Sequence, residues 1–176
     1  MGALKTLINL SILIFGLGAF AQGEEVIPWT NDLRLEWTNF RATPPSDSRI
    51  AATTASGISY RLSAMETNGN MEVDCTIDAF FYPDESWYQP GMANSNILSH
   101  EQRHFDITEL FARKMRQRIA DYSFTKKVKA EVKGIYGDIL KEMRDFQKRY
   151  DQETNYSRNV EEQMRWNAEI KRLLRK

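Results

Sequence analysis

Apolar and polar side chains alternate strictly over two stretches near the middle of the chain. Ile58, Tyr60, Leu62 and Ala64 are separated by Ser59, Arg61 and Ser63. Met71, Val73, Cys75, Ile77, Ala79 and Phe81 are separated mainly by polar residues such as Glu72, Asp74, Thr76 and Asp78. A period of two predicts strands with one buried face. Asn68-Gly69 lies between them, and both residues tolerate positive φ, so the pair predicts an antiparallel hairpin. Leu33 to Trp37 alternates in the same way and predicts another short strand. Ala51 to Ala55 is small and β-tolerant, while Thr43-Pro44-Pro45-Ser46 and the segment from Pro83 to Pro90 read as loops.

Beyond Asn94 the apolar period lengthens to that of a helix. Ile97, Phe105, Phe111, Met115 and Ile119 make a stripe on a first helix from Asn94 to Asp121. Val128, Val132, Ile135, Ile139, Met143, Phe146 and Tyr150 make a second from Lys126 to Tyr150, weakened locally by Gly134 and Gly137. A third begins at Asn159, which with Glu162 forms a capping box, and is expected to bury Val160, Met164 and Leu174. The pattern predicts an α+β fold in which a small antiparallel sheet packs against about three helices.

The first residues follow a different logic. Lys5 is the single charge among the first 23, Leu7 to Phe20 is almost continuously apolar, and Ala19-Phe20-Ala21 supplies a small-x-small cleavage pattern. Residues 1–21 read as a signal peptide, which leaves residues 22–176 as one domain. The expected location is secreted or periplasmic, with no stable membrane insertion after the signal is removed. The 24 basic and 24 acidic side chains cancel, which argues against nucleic acid as a partner. The charges are segregated nonetheless. Residues 22–100 carry 11 acids and 4 bases, and residues 111–149 carry 5 acids and 12 bases. The single Cys75 permits no intrachain disulfide, and the alternation around it puts its thiol on the buried face of a strand.

The two histidines of the chain fall in one pentapeptide, His100-Glu101-Gln102-Arg103-His104, inside the first helix. Side chains four apart share a helix face, so the two imidazoles can hold one Zn2+. Glu101 stands beside them with a carboxylate able to take a proton from water. Asp106 and Glu109 point away from this face and pair with Arg103 and Arg113 at the surface; Thr108 lies on it. A catalytic zinc takes three protein ligands. For the third, the residues leave open Glu131, Asp138, Glu142 or Asp145 on the second helix, or a member of the turn Tyr150-Asp151-Gln152-Glu153-Thr154-Asn155-Tyr156.

Several segments resemble a family of small bacterial exported proteins described as secreted zinc-dependent proteases. They are Leu35-Glu36-Trp37-Thr38-Asn39-Phe40-Arg41, Ala51-Ala52-Thr53-Thr54, Ser86-Trp87, Leu98 to Ile107 with the H-E-x-x-H core, Tyr150 to Asn155, and Gln163 with Trp166. The resemblance implies a zincin-like fold and a zinc peptidase, with His100 and His104 as ligands and Glu101 as general base. The family places a His where this chain has Tyr156. It therefore implies Tyr156 as third ligand, with Asp151 and Glu153 as the alternatives. The expected function is an exported zinc-dependent hydrolase acting on a peptide or protein, aligned along the Met71–Phe81 strand if that strand is an edge. The alternative is a non-catalytic envelope binding protein on the same scaffold.

Overall fold

The computed structural model describes residues 14–15, 25–46 and 50–175. The expected signal lies outside the described residues, except for the two-residue strand β1 (Ile14–Phe15). The order continues with β2 (Ile27–Pro28), β3 (Ala52–Thr53), β4 (Ser56–Thr67), β5 (Asn70–Phe81) and β6 (Trp87–Tyr88). Three helices follow: α1 (Ser95–Ala120), α2 (Val128–Glu153) and α3 (Val160–Leu174). The fold is α+β. One antiparallel sheet has the order β1-β4-β5-β2, and β3 pairs with β6 in a second, two-stranded sheet.

The central hairpin follows the alternation. β4 and β5 pair from Ser56↔Phe81 to Thr67↔Asn70 without a bulge. Asn68 (φ 52°) and Gly69 (φ 83°) turn the chain between them. Burial deepens along β5 towards Ile77, Ala79 and Phe81, where α1 crosses the sheet. Cys75 is half-buried on that face, and burial followed by the Asp74 charge pushes its thiol up to about 11. β5 lies between β4 and β2, and the cleft described below is lined by Ala51 to Thr54 instead.

Leu33–Trp37 forms no strand. The Leu35 N–H donates to Gln102 Oε1 at 2.7 Å, and the Glu36 N–H donates to Asn39 Oδ1 at 2.7 Å, starting a 3-10 turn over Trp37–Asn39. Side-chain acceptors thus take the donors that a strand partner would have used. The loop expected from Pro83 to Pro90 contains β6, whose Trp87 and Tyr88 register against Thr53 and Ala52.

α1 is covered on three sides, by β4 and β5, by α2 and by α3. This explains why its middle buries polar as well as apolar residues. Phe105, Ile107, Phe111, Ala112 and Met115 sit in the core, with His100, Glu101, Gln102, Asp106, Thr108 and Glu109 beside them. The pairs Arg103–Asp106 and Glu109–Arg113 are present, but their carboxylates are buried rather than at the surface. Buried carboxylates need several donors. Asp106 receives Trp29 Nε1, Gln102 Nε2 and Arg103. Glu109 receives Arg113 and Arg116, and Arg116 also donates to the Ile77 carbonyl, which ties α1 to β5.

α3 starts at the expected Asn159, whose side chain accepts from the Glu162 N–H at 3.3 Å, but the expected capping box is only half formed: the Asn159 N–H donates to the Thr154 carbonyl and the Glu162 carboxylate accepts from Arg165. Its buried face differs. Val160 and Met164 are exposed, while Gln163, Trp166 and Ile170 face inward. The indole of Trp166 packs on Phe146 and Tyr150 and donates to Glu153 Oε2 at 2.9 Å. That large anchor, with the hydrogen bonds of Gln163, sets the rotation of the helix against the smaller apolar gain of Val160 and Met164.

Candidate metal centre

The Asn94 side chain caps α1 by accepting from the Ile97 N–H at 3.0 Å. One turn further on, His100 and His104 stand on the same helix face. The last turn of α2 brings Asp151 against them. His100 Nε2 lies 3.1 Å and His104 Nε2 2.9 Å from Asp151 Oδ1, and the two Nε2 atoms are 3.2 Å apart. Ligand atoms at about 2.0–2.1 Å from a tetrahedral zinc stand roughly 3.3 Å from one another. The triangle is close to that size.

Its chemistry also fits a cation. Asp151 Oδ1 is buried and has no hydrogen-bond partner, although two imidazole nitrogens are within ion-pair distance. An orphaned buried carboxylate oxygen is costly unless a positive charge satisfies it. The electrostatics show the same demand. Burial opposes ionisation of Asp151, but the two imidazoles outweigh it and lower the carboxyl to about 2. Burial disfavours charge on His104, yet the Asp151 carboxylate and the Glu101 charge outweigh it and raise its pKa.

The imidazoles are held from behind. The Tyr150 ring stacks on His100 at 4.6 Å and 17° and meets His104 edge-on at 5.3 Å. Burial raises the Tyr150 pKa, despite the hydrogen bond from Gln163, so its phenol keeps its proton and donates to the His100 carbonyl. His100 Nδ1 is 2.9 Å from Gln163 Oε1.

After α2 the chain makes a left-handed turn. Asn155, Tyr156 and Ser157 have φ of 47°, 52° and 70°. Non-glycine residues pay about 1–3 kcal/mol each for such conformations. Local bonds hold them. The Tyr156 N–H donates to the Asp151 carbonyl at 2.8 Å, the Asn159 N–H to the Thr154 carbonyl at 2.9 Å, and Asn96 Nδ2 to the Ser157 carbonyl. The turn therefore locks the end of α2 onto the start of α1.

The three donor atoms open into a cleft of about 620 Å³. Ala51 to Thr54 line one wall, and Tyr156 and Arg158 line another, with Glu101 among the lining residues. Glu101 is buried, and its carbonyl accepts from Thr54 Oγ1 at 3.2 Å, tying β3 to α1.

His100, Glu101 and His104 therefore lie together as the spacing requires. Tyr156, which the family likeness offered as third ligand, lines the same cleft but is 59% exposed, and the donors that converge are those of His100, His104 and Asp151. Other candidates have different partners. Glu153 receives Trp166 and Arg165, Glu142 pairs with Arg118, Glu131 accepts from Thr125, and Asp145 pairs with Lys141. Thr108 donates to the His104 carbonyl and hydrogen-bonds Ser56, so it supports the helix from the sheet side. The roles of Tyr150, Gln163 and Asn167 were not readable from spacing alone. Two signals pointed to them: Tyr150 and Gln163 fall in segments that carry the family likeness, and a helical interval joins Gln163, Trp166, Asn167 and Ile170.

Fold and site together define an α+β protein with a His-His-Asp donor triad in an open cleft. Residues 86–158 match the model of a family described as a bacterial protein of unknown function (DUF922). That span includes the three donors and Glu101, and it ends before α3. No curated protein and no solved structure matches the chain. Among the described residues, no helix is long and apolar enough to cross a membrane.

Proposed function

We propose that the protein is an exported zinc-dependent peptidase of zincin type, with His100, His104 and Asp151 as ligands. The observation that carries this reading is the buried, unpartnered Asp151 Oδ1 facing two imidazole nitrogens about 3 Å away. His100, His104 and Asp151 would hold the zinc, which would supply a Lewis acid and lower the pKa of water in the cleft. Glu101 would take a proton from that water as its oxygen bonds to the peptide carbonyl carbon, and would return it to the amine nitrogen as the C–N bond breaks. β3 is paired on one side only among the described residues, and its segment lines the cleft. An extended peptide can therefore align its main chain there. Tyr150 and Gln163 hold the His100 ring, which keeps the donors pre-set for the ion.

The test has two parts. Purified protein should contain close to one zinc and should cleave casein or mixed peptides, with activity lost to a chelator and restored by Zn2+. Glu101→Gln should keep the zinc and lower kcat on the order of 10²- to 10⁴-fold. A protein that stays metal-free in excess zinc overturns the metal site. A zinc-loaded protein that cleaves no peptide favours a binding protein, and full activity in Glu101→Gln removes Glu101 from proton transfer.

A further inference from the structure

We infer that Gln163, on α3, is the positioning residue that presents His100 Nε2 to the ion. This rests on the zinc reading above. Arg103 can only donate, and its Nε lies 3.1 Å from Asn167 Oδ1. That fixes this atom of Asn167 as an acceptor and leaves Asn167 Nδ2 to donate to Ser99 Oγ at 3.1 Å. Gln163 must then turn its NH2 group to Asn167 Oδ1, at 2.9 Å, and the same group donates to the Tyr150 hydroxyl at 2.7 Å. Both amide hydrogens are used. Gln163 Oε1 is left facing His100 Nδ1 at 2.9 Å and can only accept. His100 is therefore held with its proton on Nδ1 and its lone pair on Nε2, the atom that faces Asp151 and His104.

Nothing in this chain of bonds is free to reverse. Gln163 is 1% exposed, so water does not compete for its amide. Arg103 is itself anchored by Asp106, whose Oδ1 accepts from the donor-only Trp29 indole at 3.0 Å and from Gln102. The orientation of one imidazole is thus set by α3 and by the N-terminal segment, neither of which supplies a metal ligand.

The experiment compares purified full-length wild type, Gln163→Leu and Gln163→Glu. Zinc affinity is read by chelator competition, and the His100 tautomer of the metal-free protein by long-range 1H–15N spectra. Wild type should show the Nδ1-protonated tautomer before any metal is added. Gln163→Leu should lose that preference and bind zinc on the order of 10- to 100-fold more weakly. Gln163→Glu keeps an acceptor for Nδ1–H and should recover much of the affinity, although it loses both donated bonds. A merely structural role would leave both variants equally impaired.

An Nε2-protonated His100 in metal-free wild type overturns the inference and needs no variant to fold. So does wild-type affinity in Gln163→Leu, or equal loss in the two variants. Failure of the zinc reading is seen separately, as wild type that shows the Nδ1 tautomer but binds no zinc.

Discussion

The ligands come from two helices that only the folded chain brings together, and this sets the size of a thermal effect. His100 and His104 lie in α1 and Asp151 at the end of α2. In the unfolded chain the carboxylate is no longer beside the imidazoles, so a zinc held by all three groups would bind the native state far better. A ligand of that kind stabilises by RT ln(1 + [L]/Kd), about 4 kcal/mol at a thousandfold excess over Kd. For a domain of this size each kcal/mol moves Tm by about 2–4 °C. Adding zinc to chelator-stripped protein should therefore raise Tm by roughly 8–16 °C at that excess. Scanning calorimetry at fixed protein concentration and pH measures it, with Mg2+ as control. Asp151→Ala should lose most of the shift while keeping the fold of the metal-free protein. If wild-type Tm stays the same between chelator and excess zinc, or if Asp151→Ala keeps the full shift, the proposed ligand set is wrong.

The thiol and the core offer two further measurements. Cys75 titrates at about 11 rather than its ordinary 9, so near pH 8 its thiolate fraction is about a hundredfold lower than that of a free thiol. Alkylation by iodoacetamide should be slow by about that factor and should accelerate as pH rises towards 11; an ordinary rate at pH 8 would show the thiol exposed. Phe105 is fully buried, 5.8 Å from the ring of Phe81. Phe105→Ala should cost about 3–5 kcal/mol by denaturant unfolding in zinc-free buffer, and a loss below 1 kcal/mol would place that ring outside the core.

The parts legible in the sequence are those with a strong local period. The hairpin from Ser56 to Phe81 and the three helices follow from alternation, from Asn68-Gly69 and from the 3.6-residue stripe. His100, Glu101 and His104 follow for the same reason, because a helix brings residues four apart together. What escaped was set by distant partners. The segment Leu33–Trp37 alternates like a strand, but Gln102 takes its backbone donor. Val160 and Met164 looked buried until Trp166 fixed the rotation of α3. Asp151 stood among several acids in one turn, and only the docking of α2 on α1 distinguishes it from Glu153, whose carboxylate serves Trp166 and Arg165.

The left-handed turn after α2 limits how this protein can diverge. Asn155, Tyr156 and Ser157 sit where β-branched side chains are strongly disfavoured, directly beside the cleft. Drift there is channelled towards Asn, Asp and Gly. A Val or Ile at any of the three would be strained there, just beyond the helix end that carries Asp151. New specificity is therefore more accessible from the Ala51–Thr54 wall, where the backbone accepts most side chains, than from the wall that carries Tyr156.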